Sequence, residues 1–487
     1  MKANERLTDQ VGDRSPGSRQ SSLAARLAPL GGNMSREAIV TGSSAMNAAF
    51  GAPLRGSHSL DLVVPEAAYR YLREQPGWSE VRFAGEYRML RHGDLEVSIK
   101  RGHEPGHREL ASRAWRTPEG IQVAGLADVY AFKQARRLPK DVTDIALIRA
   151  RLLDPNQPPL TGHVLQREIQ AVRSFLPDTA LNHPDAGVAV RLAAHGKYIT
   201  STLHGDPGVG QVNQIIGDLE LPEYRVPATY HNGFGLAEDG RLLQQHLGNI
   251  GASPHERLDA AAADTYSDAV YGNGRRSNNP DGYDELRSAD LAHAHALSLG
   301  YEPARADRIH EMIKGTAFDE QTKAQAGKHH PDPLVQSIAG VDLQTLAQPS
   351  SLEDVLDLVP EDLTSRRYSP DRVLGRTLDE NNLQIRSTAE ALAITDDYAE
   401  YRPSIDGAPS TKTVMDAFAY RFTGNAGFSA NHQYPPAWTL DNPELRAEHA
   451  EKTRELGQKL ADRDITATQA HQEARYHTEA MQEKYGR

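Results

Sequence analysis

The stretch between Ile39 and Val64 constrains this chain most. Ile39-Val40-Thr41 is a β-branched run, and Gly42-Ser43-Ser44 reads as a turn. A helical stretch follows, and then Ser59-Leu60-Asp61-Leu62-Val63-Val64, a second strand-like run carrying a carboxylate. A glycine turn between strand and helix brings backbone N–H groups close enough to cradle phosphate. Side chains alternate along a strand, so residues 59, 61 and 63 share a face. Divalent metal on such a face is usually held by carboxylates at i and i+2; here Asp61 is present and Ser59 stands at its partner position.

In this order the residues resemble the nucleotidyltransferases, and the resemblance continues downstream. The segment from Val123 to Ile145, with Lys133, Lys140-Asp141 and Asp144, is similar to the closing segment of the minimal and abortive-infection toxin-type families. Together the matches span roughly residues 36–152. The resemblance implies a nucleotide-binding turn at Gly42, Ser43 and Ser44, with Arg55 meeting a phosphate. It also implies a catalytic set of Asp61, Glu96, Lys133 and Asp144. Asp61 and Glu96, the latter in Asp94-Leu95-Glu96-Val97-Ser98, would hold Mg2+ together with triphosphate oxygens. Lys133 would neutralise charge at the transferred group, and Asp144 would orient Lys133 or help activate the acceptor.

A length of 487 residues implies two to three domains. The net charge of −12 argues against nonspecific binding of long DNA, which needs a basic face. Arg136, Arg137 and Lys140 form a local basic group, read either as a solvated helix end or as a phosphate or RNA contact. The chain has no cysteine, which excludes disulfides, thiolate metal sites and a cysteine nucleophile. No apolar run reaches the ~18 residues of a membrane span. The first 30 residues are rich in Arg, Ser and Gly and read as a disordered tail rather than a secretion signal, so a cytoplasmic location is expected.

Residues 36–153 alternate strand and helix signals, with strands expected at 38–41, 59–64, 80–83, 87–91 and 95–100. Helices are expected at 45–50, 65–74, 128–137 and 141–153. Asp154-Pro155-Asn156-Gln157-Pro158-Pro159 breaks the pattern and marks a domain boundary. From 160 to 350 the spacing is helical throughout, most clearly at 241–247, 254–266, 286–299, 304–313 and 332–346, and no strand is expected. Residues 351–440 carry no assignment, and 441–487 read as charged, exposed C-terminal helices opening at Asp441-Asn442-Pro443. The expected fold is therefore a disordered tail over 1–35, an α+β domain, and an all-α domain.

The helical region resembles the HD family of metal-dependent phosphohydrolases over roughly residues 225–350. Tyr230-His231-Asn232, Ser267-Asp268-Ala269-Val270-Tyr271, Glu285-Leu286-Arg287-Ser288-Ala289 and Gly340-Val341-Asp342-Leu343 carry the likeness. The family's metal site uses an early His, a His-Asp pair and a late Asp. Gly235 and Ser267 replace the two histidines here, Gly340 stands at a further family Asp, and Asp268 and Asp342 remain as metal candidates. Two carboxylates, with only His329 or His330 to add nitrogen, suit transition metal poorly, so no tightly bound one is expected. His204-Gly205-Asp206-Pro207-Gly208 lacks the Lys of a phosphate loop. His103-Glu104-Pro105-Gly106-His107 has zinc-protease letters, but Pro105-Gly106 breaks the helix which that motif requires. His293 and His295, two apart, do not share a helix face.

Three functions remain open at this point. One is a nucleotidyltransferase acting from a nucleoside triphosphate onto RNA or protein. Another is a non-catalytic nucleotide-binding or scaffolding protein with both sites eroded. The last is a metal-dependent phosphohydrolase of HD type.

Overall fold

The structure, a computed structural model, describes residues 23–52, 54, 59–82, 88–99, 106–136, 139–204, 235–270, 282–319, 324–344 and 414–485. Arg55, Arg137 and Tyr230-His231-Asn232 lie outside these residues, as do His103 and the Gly-rich run after His204.

The N-terminal part opens with helices α1 (Leu23–Leu27) and α2 (Gly32–Glu37). It continues through β1 (Ile39–Val40), α3 (Gly42–Phe50), β2 (Leu60–Val63), α4 (Glu66–Glu74), β3 (Ser79–Arg82), β4 (Arg88–His92) and β5 (Leu95–Ser98). Helix α5 (His107–Arg113), β6 (Trp115–Arg116), β7 (Gln122–Val123), α6 (Leu126–Arg136) and α7 (Pro139–Leu152) complete it. The seven strands form one mixed sheet in the order β3-β4-β5-β2-β1-β7-β6. Strand β2 pairs parallel with β5 and antiparallel with β1, and β1 pairs parallel with β7. Ile39, Val40, Leu60, Leu62, Val63, Leu95, Val97 and Val123 are all buried, the near-continuous apolar pattern of strands covered on both faces.

Strands β1 to β5 fall within two residues of their sequence expectations. The two-residue strands β6 and β7 and helix α5 were not foreseen, because such short elements carry no periodic signal. Helix α5 begins after the Pro105-Gly106 break, with the Glu109 carboxylate accepting the Gly106 backbone N–H at 2.9 Å.

The helical part comprises α8 (Gln166–Phe175), α9 (Asp178–Leu181), α10 (Ala186–His204), α11 (Gly235–Asn249), α12 (Pro254–Tyr266), α13 (Tyr283–Ser298) and α14 (Pro303–Lys314). The hairpin β8 (Phe318–Asp319) and β9 (Ala324–Gln325) leads to α15 (Pro333–Gln344). That hairpin corrects the expectation of a strand-free region; at two residues a side it pairs antiparallel without an alternating pattern to announce it. Helix α10 is the axis. From Leu192 to His204 it is buried on every side, and it packs against α6 as well as α8 and α12. A helix apolar and small-residue-rich all round has no amphipathic stripe, which is why α10 escaped a periodicity argument. Gly196 sets its distance from α12: a Cβ there would fall 2.8 Å from a ring carbon of Tyr266. One apolar cluster, from Leu27 to Leu440, runs across the 154–159 break.

Among the described residues, three more helices follow: α16 (Val414–Asn431), α17 (Pro443–Asp462) and α18 (Ala467–Tyr485). The Asn442 side chain caps α17 by accepting the Leu445 N–H at 3.1 Å. Helices α17 and α18, which cover the stretch read as exposed, are less exposed than expected. Leu445, Thr453, Leu456 and Leu460 of α17 are buried, and α16 packs along it. Among the described residues, no helix is long and apolar enough to cross a membrane.

Candidate active site

The glycine turn sits where β1 meets α3. Gly42 has φ +62°, the left-handed region that glycine enters freely. The space beside it is taken by Asp61: a Cβ on Gly42 would fall 3.2 Å from Asp61 Cγ and overlap its Oδ2. The Thr41 N–H donates to the Asp61 carbonyl at 2.9 Å, which fixes β2 against the turn. Asp61 is half-buried on β2.

Glu96 lies on β5 as the direct parallel partner of Asp61. Paired residues in a parallel ladder project to the same face, so the two carboxylates stand side by side. Glu96 also faces Arg91 across the antiparallel β4–β5 pair and accepts from its guanidinium at 2.7 Å. Ser59 is half-buried one ladder step away, and its carbonyl lies 3.5 Å from Ser44 Oγ.

The next residue of the turn reaches a second group. Ser43 Oγ donates to Asp144 Oδ2 at 3.1 Å, and Lys133 Nζ lies 3.4 Å from Ser43 Oγ. Lys133 on α6 and Asp144 on α7 form an ion pair at 2.5 Å, with Asp141 3.7 Å from the same ammonium. All three are buried, Asp141 and Asp144 completely. The turn therefore joins two clusters through adjacent residues: Gly42 to the strand carboxylates, Ser43 to the buried lysine. Lys140 is exposed at the start of α7, outside this group.

The second candidate centre lies among the helices. Asp264 of α12 is buried, and its carboxyl is held well above the usual range, first by burial and then by the charges of Asp268 and Asp342. Ser267 Oγ turns back to the Asp264 carbonyl at 2.7 Å. Gln325 donates to Asp342. Gly340, where the resemblance implies an aspartate, is glycine for a packing reason: a Cβ there would fall 2.5 Å from the indole of Trp438. His329 is exposed, and His330 accepts the Asp332 N–H at 3.1 Å. His293 and His295 do part company, His293 to Asp307 at 3.0 Å and His295 into the core against Tyr266 Oη at 2.8 Å. Among the described residues, no group of three or more His, Cys, Asp or Glu side chains is arranged to hold a metal ion.

The chain matches no protein-family model, no curated protein and no solved structure.

Two features went unnoticed in the sequence. Arg113 and Asp128 form a bidentate ion pair, with contacts of 2.8 Å to Oδ1 and 3.2 Å to Oδ2, that ties α5 to the start of α6. His246 of α11 is fully buried and locked as one tautomer: Nδ1 accepts the Thr439 N–H at 3.1 Å, and Nε2 faces Ser337 Oγ at 2.7 Å. Burial lowers its pKa to about 4. Each partnership spans segments that no local spacing connects.

Proposed function

We propose that the N-terminal domain is nucleotidyltransferase-like and transfers a nucleotide from a nucleoside triphosphate to RNA or protein. One observation carries this reading: adjacent Gly42 and Ser43 at the head of α3 touch the strand carboxylate Asp61 and the buried Lys133–Asp144 pair. Donors at the head of α3 would receive phosphate oxygens. Asp61 and Glu96 offer oxygen ligands on one face, a donor set that suits Mg2+ with the triphosphate completing its shell. The metal would neutralise phosphate charge there. Lys133 is positioned through Asp144, and Ser43 relays that arrangement to the turn.

A second reading, a non-catalytic nucleotide-binding or scaffolding protein, is favoured by the partners these groups already have. Glu96 is engaged by Arg91, and two buried carboxylates flank Lys133. The phosphohydrolase alternative rests on Asp268 and Asp342 beside Asp264, and the indole seated on Gly340 counts against it.

The deciding experiment incubates the purified protein with each labelled nucleoside triphosphate, Mg2+ and total RNA. Transfer that is lost in Asp61→Ala and raised in Ser59→Asp supports the transferase. A folded Ser59→Asp with an unchanged rate for all four nucleotides supports the non-catalytic reading. Activity insensitive to Asp61→Ala places any chemistry outside this motif.

A further inference from the structure

A separate cavity of about 340 Å³ lies where the β6–α6 corner of the sheet domain meets α8 and α10. Its volume is at the lower end of small-molecule sites, too small for a folded partner. The wall is unusual in its polar groups. Trp115 Nε1, Ser201 Oγ and Thr202 Oγ1 are buried and have no hydrogen-bond partner among the described residues. A helical hydroxyl ordinarily returns to the carbonyl one turn back, as Thr200 Oγ1 does to Gly196 at 3.3 Å. Ser201 and Thr202, next along the same helix, do not. Buried polar groups are nearly always satisfied, so four in one wall, Tyr198 Oη included, point to a ligand that satisfies them.

The wall also states what that ligand is. The indole N–H only donates, so it wants an acceptor, and the two hydroxyls donate or accept. Trp115 and Tyr198 supply aromatic surface, which favours a flat ring. Burial, reinforced by Glu168 and Asp128, pushes the Tyr198 pKa up, so its hydroxyl stays protonated. Arg116 and Arg167 are exposed members of the lining and carry the positive charge of the rim. Arg113, deeper in, is neutralised by Asp128.

We propose that this cavity binds a small ring-bearing organic anion of the kind represented by a nucleoside monophosphate, its ring acceptors on Trp115, Ser201 and Thr202 and its anionic group toward Arg116 and Arg167. The site is independent of the Gly42–Asp61 turn. Asp128 and Lys133 stand five positions apart along α6, about 7.5 Å of helix at ~1.5 Å per residue.

Calorimetric titration of the full chain with AMP, GMP, CMP and UMP tests the proposal, with adenosine and inorganic phosphate as arms lacking the charge or the ring. At least one nucleotide is expected to bind about tenfold or more tightly than either arm, a gap of the size one charge-assisted contact produces. Thr202→Val removes a hydroxyl with no partner among the described residues. It should leave the melting temperature of the ligand-free protein unchanged or higher, yet weaken binding about tenfold. The surface change Arg167→Ala should weaken binding without affecting folding, and Asp61→Ala should leave it intact. The proposal is overturned by absence of saturable binding at millimolar nucleotide, by phosphate binding as well as the nucleotides, or by wild-type affinity in both Thr202→Val and Arg167→Ala. It is equally overturned if Asp61→Ala abolishes binding, which would assign the ligand to the turn.

Discussion

The Asp61 carboxylate closes over the Cα of Gly42 and leaves no volume for a side chain there. Gly42→Ala meets both a left-handed backbone and this overlap, and should cost about 1–3 kcal/mol. Chemical denaturation reads the cost. In the double variant with Asp61→Ala, part of it should return, because only the backbone component remains. A cost that is the same with or without Asp61 would refute the contact.

Lys133 compensates two carboxylates that are completely shielded from water. Lys133→Met should therefore destabilise the protein by about 3–5 kcal/mol, the range for stranding a buried charge. Lys133→Met combined with Asp144→Asn should recover much of that loss in a urea melt. A single variant within 1 kcal/mol of wild type would show that the pair is not buried as described.

Acid should loosen the helical core. His246 and His295 are buried and neutral, with pKa values lowered to about 4, chiefly by burial. In the unfolded chain each titrates near 6.5, so between that value and about 4 the unfolded state binds protons that the folded state refuses. Stability then falls as pH falls through this window, by roughly 2 kcal/mol per histidine at pH 5. Asp264, with a raised pKa, acts in the opposite sense, so the useful quantity is a difference. Between pH 7.5 and 5, wild type should lose about 2 kcal/mol more than His246→Asn. Parallel pH profiles would sink the assignment.

Restoring the aspartate that the HD resemblance implies should not restore a site. Gly340→Asp drives a side chain into the Trp438 ring and should lower the melting temperature by several degrees, in line with about 1–3 kcal/mol for overpacking. Adding Trp438→Ala should relieve the clash while leaving a cavity of its own. A Gly340→Asp protein as stable as wild type would mean that the indole moves aside freely.

How much of this was legible in the sequence follows from the range of each interaction. The strand runs through Val40 and Leu62, the turn at Gly42 and the period of Pro254–Tyr266 are local signals, and those elements stand where the pattern put them. The pairing of Lys133 with Asp144, eleven residues apart, came from a resemblance, not from spacing. The partner of Glu96 was hidden because Arg91 reaches it only after β4 turns back on β5. Trp115, Thr202 and Arg167 come from three segments that meet only when α10 packs under α6, so no motif gathers them. Gly340 read as a missing family aspartate in one dimension and proved to be a seat for an indole almost a hundred residues later.

That seat has a consequence for the order of assembly during synthesis. Domains fold as units from the N-terminal end as the chain emerges. The sheet domain needs only the chain to Val123 for β7 to take its place beside β1. The helical domain must wait far longer. Trp438 covers Gly340, its indole N–H donates to Gln344 at 2.8 Å, and Thr439 holds the buried His246. Until that short stretch leaves the ribosome, the faces of α11 and α15 lack their cover, so these two helices are sealed long after they are made.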